Sequence, residues 1–238
     1  FLFYENANGF QFKSYEGLFC KKDGSPRPIK ANYSPKVKNI GEDDTYNLQS
    51  VEDFKILSQF NTLLNTNNGV YASRLLTHDL FSKKFNTFDF DYNLEYSNQN
   101  HLEMDAQGGK IDNNGILPFF NYDKGSTFGS KNEGALYLQS TTTKIHNDYE
   151  QPEVELILQK RISQHLAVNA LNIEITVPGS TEINIGDIVH FSMPKFAPAT
   201  DNDKKDQDVY LTGRYLVSAA RHQVSIVSKK HTLVLELV

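Results

Sequence analysis

LNIEITVPGSTEINIGDIVHF, residues 171–191, is the stretch where the hydrophobic period settles at two. Leu171, Ile173, Ile175 and Val177 alternate with Asn172, Glu174 and Thr176, which is the pattern of a strand with one buried face. Pro178-Gly179 turns the chain, and INIGDIVHF begins a second strand. Downstream, VYLTGRYLVSAARH (209–222) and HTLVLELV (231–238) continue the series, with Leu233, Leu235 and Leu237 on one face. Five or six short strands in about seventy residues predict a small antiparallel barrel. Its expected core is Leu171, Ile173, Ile175, Ile188, Phe191, Val217, Leu233 and Leu235.

Just upstream the period is helical. Val154, Leu158, Ile162 and Leu166 recur every four residues, with Ile157 widening the stripe. Pro152 lies near the first turn, Glu153 and Glu155 follow it, and Lys160, Arg161 and His165 come late, in keeping with the helix dipole. This predicts an amphipathic helix leading into the barrel. The expected fold is therefore mainly β with a few helices (α+β). Residues 149–238 form one region, the helix plus barrel, and residues 1–148 a β-rich first region.

That first region opens on FLFYENANGFQFK (1–13), apolar runs on both sides of Asn8-Gly9, which predicts a two-residue hairpin with Phe10 and Phe12 on one face. Residues 21–38 carry six positive charges and three prolines, and read as an extended surface arm followed by the acidic Glu42-Asp43-Asp44. Residues 50–57 fit a strand or a helix, residues 58–65 read as helical, and Asn67-Asn68-Gly69 stops whatever precedes it. GVYASRLLTHDLF and KKFNTFDFDY flank a turn at Ser82-Lys83, with Phe88, Phe90 and Tyr92 alternating with Asp89 and Asp91. Residues 93–148 hold six of the 14 glycines and two apolar islands, ILPFF and ALYL, and read as an irregular excursion with one or two short strands.

Composition limits the function. Hydrophobic residues make up 39%, enough for a core, and no run of 18 apolar residues offers a membrane helix. A net charge of −5, with only 5 Arg among the 24 basic residues, disfavours a sequence-specific nucleic-acid reader. The single cysteine, Cys20, rules out an internal disulfide and reads as a small buried hydrophobe. The chain opens on Phe1 rather than Met and shows no basic leader before an apolar run, so it is expected to begin inside a longer protein.

No catalytic, cofactor-binding or metal constellation is expected. His146, His165, His190, His222 and His231 fall in different elements, and none shares a helix with a second histidine and a carboxylate. Asp201, Asp203, Asp206 and Asp208 lack the glycine and the final glutamate of a calcium loop. Asp89 and Asp91 share a strand face and invite comparison with a glycosidase pair, but alternation with aromatics makes them the wet side of a strand.

The segments QKRISQHLAVNALNIEITVPGSTEINIGDIVHFSMP, LTGRYLVSAARHQV and HTLVLELV, in that order, resemble the central baseplate hub proteins of T-even-type contractile phages. FLFYENANGFQFKSYEGL and GVYASRLLTHDLFSKKF extend the likeness, which covers residues 1–20, 66–92 and 150–238. Related barrels occur in the hub part of type VI secretion spikes and in phage late-control proteins. The resemblance implies two barrel-like domains per subunit in a homotrimeric ring. That ring joins a hexameric tail tube protein to a trimeric spike protein, within the virion baseplate and assembled in the host cytoplasm. It implies no enzyme activity, no cofactor, no membrane partner and only weak, non-specific contact with nucleic acid. Candidate interface residues are Lys21, Lys22, Arg27 and Lys30 of the basic arm and Phe119, Phe120 and Tyr122 of the excursion. The competing reading is a carbohydrate- or receptor-binding β module of a tail fibre or surface protein, against which the absence of Trp counts.

Overall fold

A computed structural model describes residues 2–6, 8–35, 48–59, 61–79, 83–95, 100, 102, 135–141, 154–194, 207–208 and 211–238. They fall into two compact units. The first joins the described residues of 1–58 to those of 171–238, and the second is drawn from 59–99 and 122–170.

The first unit is built on a sheet of seven described strands. From the C-terminal half come β9 (Asn172–Pro178), β10 (Ile188–Phe191), β11 (Gly213–Ser225) and β12 (Lys230–Leu237). The N-terminal half supplies β3 (Ile29–Pro35), β4 (Ser50–Val51) and β5 (Asp53–Ser58). Their order is β4-β3-β10-β11-β12-β9-β5. The two outermost strands are successive pieces of one segment, 50–58, hinged at Glu52, whose N–H donates to Thr176 O (2.8 Å). On one side that segment bonds β3, on the other β9. The sheet therefore curls until its ends meet, giving a barrel-like shape.

Alternation fills the interior. Ile173, Ile175 and Val177 on β9, and Leu233, Leu235 and Leu237 on β12, are fully buried together with Val189, Phe191, Met193 and Val217. The expected core residues Ile173, Ile175, Phe191, Val217, Leu233 and Leu235 all lie in this cluster. Leu171 packs at its margin, and Ile188 is buried beside it.

Three sequence expectations are corrected here. Residues 149–238 do not make the barrel alone, and the sheet is not wholly antiparallel. Four strands are too few to close, so the sheet recruits residues 29–58, and β3 runs parallel to both β10 and β4. Nor is 21–38 an arm throughout, because Ile29–Pro35 is an interior strand. The prolines permit it: Pro26 and Pro28 precede the strand and Pro35 ends it, so none interrupts the ladder midway.

The segment before β3 starts with a hairpin, β1 (Leu2–Asn6) and β2 (Gly9–Lys13). Its register pairs Asn6 with Gly9, one residue earlier than the Asn8-Gly9 pattern suggests, and Gly9, but not Asn8, takes positive φ (+97°). Helix α1 (Tyr15–Phe19) follows, capped by Ser14 Oγ accepting from Gly17 N–H (3.1 Å) and ending at the buried Cys20.

In the second unit, helix α2 (Thr62–Asn67) leads into β6 (Ala72–Asp79). β7 (Phe85–Asp91) and the short helix α3 (Tyr92–Glu95) come next, and β8 (Ala135–Thr141) contains the second apolar island of the excursion, ALYL. β6 sits between an antiparallel β7 and a parallel β8. Segment 50–57 thus resolves as strand, and the helix predicted over 58–65 starts at Thr62.

Helix α4 (Val154–Val168) belongs to this second unit, where it packs on β6 and β7. Its most buried residues are polar. Gln159 and Ser163 are buried, and the predicted stripe Val154, Leu158, Ile162 and Leu166 is only half-buried around them. Gln159 Nε2 donates to Ser73 O (2.9 Å), Ser73 Oγ (3.0 Å) and Phe88 O (3.3 Å), and Ser163 Oγ donates to Val70 O (2.6 Å). These bonds clamp the helix to strand backbone at a depth where water cannot substitute. Gln159→Leu, which keeps the bulk and removes the donor, is expected to cost about 1–3 kcal/mol. A lowered urea midpoint at unchanged slope would report it, and an unchanged midpoint would show that the clamp is not a source of stability. Among the described residues no helix is long and apolar enough to cross a membrane.

Candidate functional site

The basic residues singled out in the sequence are separated by the fold into two classes. Lys21 and Lys22 lie in a tight turn in which Lys21 N–H donates to Ser25 O (2.8 Å) and Gly24, at φ +79°, donates to Lys21 O (3.0 Å). Asp23 braces the turn, accepting from the Ser25 hydroxyl (2.6 Å) and N–H (2.9 Å), and these bonds hold its carboxyl below the ordinary carboxylate range. Lys21, Lys22 and Lys30 are exposed. Arg27 is half-buried and structural: its N–H donates to Phe19 O (3.1 Å), and its carbonyl accepts from Arg214 Nη2 (2.6 Å). The cationic surface is therefore three lysines. Phe119, Phe120 and Tyr122, like Glu42, Asp43 and Asp44, lie outside the described residues.

Two strand faces and one hairpin turn carry apolar side chains into solvent. On the hairpin, Phe3, Phe10 and Phe12 share the outer face at 68–70% exposure, with the Phe3 and Phe10 rings stacked at 5.6 Å. The opposite face is anchored, because Tyr4 fills the space beside Gly186, where an added Cβ would stand 2.5 Å from Tyr4 Oη. Burial there raises the Tyr4 hydroxyl pKa. The β11–β12 hairpin ends in Ile226 and Val227, the latter 98% exposed. In the second unit, Leu136 and Leu138 of β8 stand 64% and 72% exposed on the sheet face away from the Gln159 clamp. Phe85 lies on the same sheet, stacked on His78 at 4.3 Å.

The chemistry-bearing residues are mostly engaged. Arg74 holds Asp89 through two bonds, Nε to Oδ1 at 2.7 Å and Nη2 to Oδ2 at 3.2 Å, which raises the Arg74 pKa and gives that carboxylate a structural partner. Asp208 Oδ1 accepts from Leu211 N–H (3.1 Å), while Asp201, Asp203 and Asp206 lie outside the described residues. Among the described residues no three His, Cys, Asp or Glu side chains gather as metal ligands. The fold does bring together His222 and His231, which the sequence separates, at 3.1 Å.

Sequence reading missed the apolar surfaces for one reason. Alternation says which residues share a face, and Phe10 and Phe12 do, but not which face meets the core. The available signal was the semi-polar opposite row, Tyr4, Gln11 and Lys13, which is the face that packs inward.

No protein-family model matches the chain, and no curated protein matches it in sequence. Among solved structures it is similar to the tail protein from Neisseria meningitidis MC58, with a TM-score of 0.39 and 10% identity, over 92% of this chain and 45% of that one. It is also similar to the 43 kDa tail protein of prophage MuSo2 from Shewanella oneidensis, with a TM-score of 0.36 and 10% identity, over 79% of this chain and 41% of that one. The chain spans less than half the length of either protein.

Proposed function

We propose that this chain is a structural subunit of a phage tail, and within the tail the central baseplate hub that joins the tail tube protein to the spike protein as a homotrimeric ring. The observation that carries the reading is exposed apolar surface: the Phe3–Phe10–Phe12 and Leu136–Leu138 faces on strands, and the Ile226–Val227 turn. A monomer gains nothing by presenting stacked phenylalanines to water, whereas a closed oligomer buries them at its subunit contacts. The order of segments that resembles the hub family agrees with this. Those same segments supply four of the seven strands of the barrel-like sheet, the hairpin and the β6–β7 pair, while residues 29–58, outside the likeness, supply the other three strands. The exposed lysines of the 21–30 stretch serve as polar rim to such contacts. With a net charge of −5, a channel through the ring lets a polyanion slide without tight phosphate contacts.

Light scattering on the intact protein tests the reading. A trimer mass is expected, shifting toward monomer in the Phe10→Ser/Phe12→Ser double variant. Each buried phenylalanine is worth about 1.5–3 kcal/mol, so the dissociation midpoint should rise by at least about tenfold. Monomer mass in the parent across the accessible concentrations would overturn the hub assignment. An unchanged trimer in the double variant would remove the hairpin face from the interface.

A further inference from the structure

Two imidazoles meet where the interior-facing rows of β11 and β12 leave the barrel. On β12, His231 continues outward the buried row Leu237, Leu235 and Leu233, and on β11 His222 sits directly opposite Leu233. His222 Nδ1 and His231 Nε2 lie 3.1 Å apart, with ring centroids at 5.3 Å and planes inclined by 31°. The His231 ring occupies the volume that a side chain at residue 179 would fill, since a Cβ on Gly179 would overlap it. Gly179 N–H also donates to His231 O (2.9 Å), which fixes the His231 backbone from the β9 side. His222 is exposed and His231 half-buried, which leaves the facing nitrogens within reach of solvent ions.

We propose that His222 and His231 form a two-imidazole chelate for a divalent transition-metal cation of the Zn2+, Ni2+ and Cu2+ class. The geometry suits it. Two metal–nitrogen bonds of about 2.0–2.1 Å hold their nitrogens about 3.3 Å apart at a tetrahedral angle and about 2.9 Å apart at a right angle, and the observed 3.1 Å falls between. Neutral imidazole is a preferred ligand for these ions, whereas Mg2+ and Ca2+ take oxygen ligands. No third His, Cys, Asp or Glu joins the pair among the described residues, so water completes the coordination shell. Bound there, the ion ties β11 to β12 at the base of the hairpin that carries Ile226 and Val227, and it stiffens the tip.

Calorimetric titration of the untagged full chain with Ni2+ tests the site. One ion per chain is expected to bind, with affinity at least about tenfold weaker in His222→Ala and in His231→Ala, unchanged in His78→Ala, and no response to Mg2+. Because His222 is exposed, His222→Ala keeps the fold and decides the matter even where His231→Ala does not fold. Absence of Ni2+ binding up to about 1 mM, or undiminished affinity in the folded His222→Ala variant, would overturn the proposal.

Discussion

Phe191→Ala is expected to lower the free energy of unfolding by about 3–5 kcal/mol. Phe191 is the last residue of β10, fully buried, where the register sets it between Gly213 on β11 and Tyr33 on β3. Its ring meets the edge of Tyr215 at 6.3 Å and 74°, and lies 6.4 Å from that of Phe54. These neighbours are fixed by ladders on three other strands, so the void left by truncation cannot collapse. Against a typical domain stability of about 5–15 kcal/mol, the loss removes about a fifth or more. Chemical denaturation reads it directly, and an unchanged midpoint would place the ring outside the core. The Phe54 contact sharpens the experiment. Phe54 belongs to β5, far away in sequence, and a double-mutant cycle with Phe54→Ala is expected to show about 0.5–3 kcal/mol of coupling. Strict additivity would mean that the 50–58 segment does not close the sheet.

That closure was the part of the fold the sequence hid. Strands β9 and β12 declare themselves, because β9 alternates strictly and β12 buries the alternate residues Leu233, Leu235 and Leu237, with Val234 buried between them. The segment that completes the barrel does not. β4 and β5 are short, broken at Glu52, and leave Leu57 half exposed, so their periodicity fits two templates equally. β3 is bracketed by prolines, which read as breakers until the register shows that none lies within the ladder. Helix α4 was legible as a helix but not in its burial. The apolar stripe drew attention, whereas Gln159 and Ser163 on the adjoining row face the strands because backbone carbonyls there need donors. The candidate surface followed the same logic. Lys21, Lys22 and Lys30 were visible as charges, yet Arg27 is bound into the fold through its backbone, and only three-dimensional pairing brings His222 to His231.

Gly69→Ala is expected to destabilise the second unit by about 2–5 kcal/mol, from two independent sources. The first is conformational. Gly69 closes helix α2 at φ +79°, with its N–H donating to Thr66 O (3.0 Å) and the following Val70 N–H donating to Asn65 O (3.0 Å), the two bonds of a Schellman cap. A Cβ in that region costs about 1–2 kcal/mol. The second is steric, because the added Cβ would stand 2.7 Å from Ala135 Cβ and 2.7 Å from Tyr137 Oη. Neither neighbour yields easily. Ala135 Cβ has no torsion to turn away on, and Tyr137 Oη is held by donating to Asn68 O (2.8 Å). The two sources separate by substitution. Gly69→Asn tolerates the left-handed backbone but carries the same Cβ, so it should retain the steric part of the loss. Ala135→Gly placed in the Gly69→Ala background removes one side of the clash and should recover part of it. Hydrogen exchange across β6 and β8 gives the local reading, since the parallel pair from Ser73↔Ala135 to Asp79↔Thr141 begins at this contact. Protection in β8 that is indifferent to Gly69→Ala would mean that this strand, although 66 residues downstream, does not depend on the helix cap for its seat.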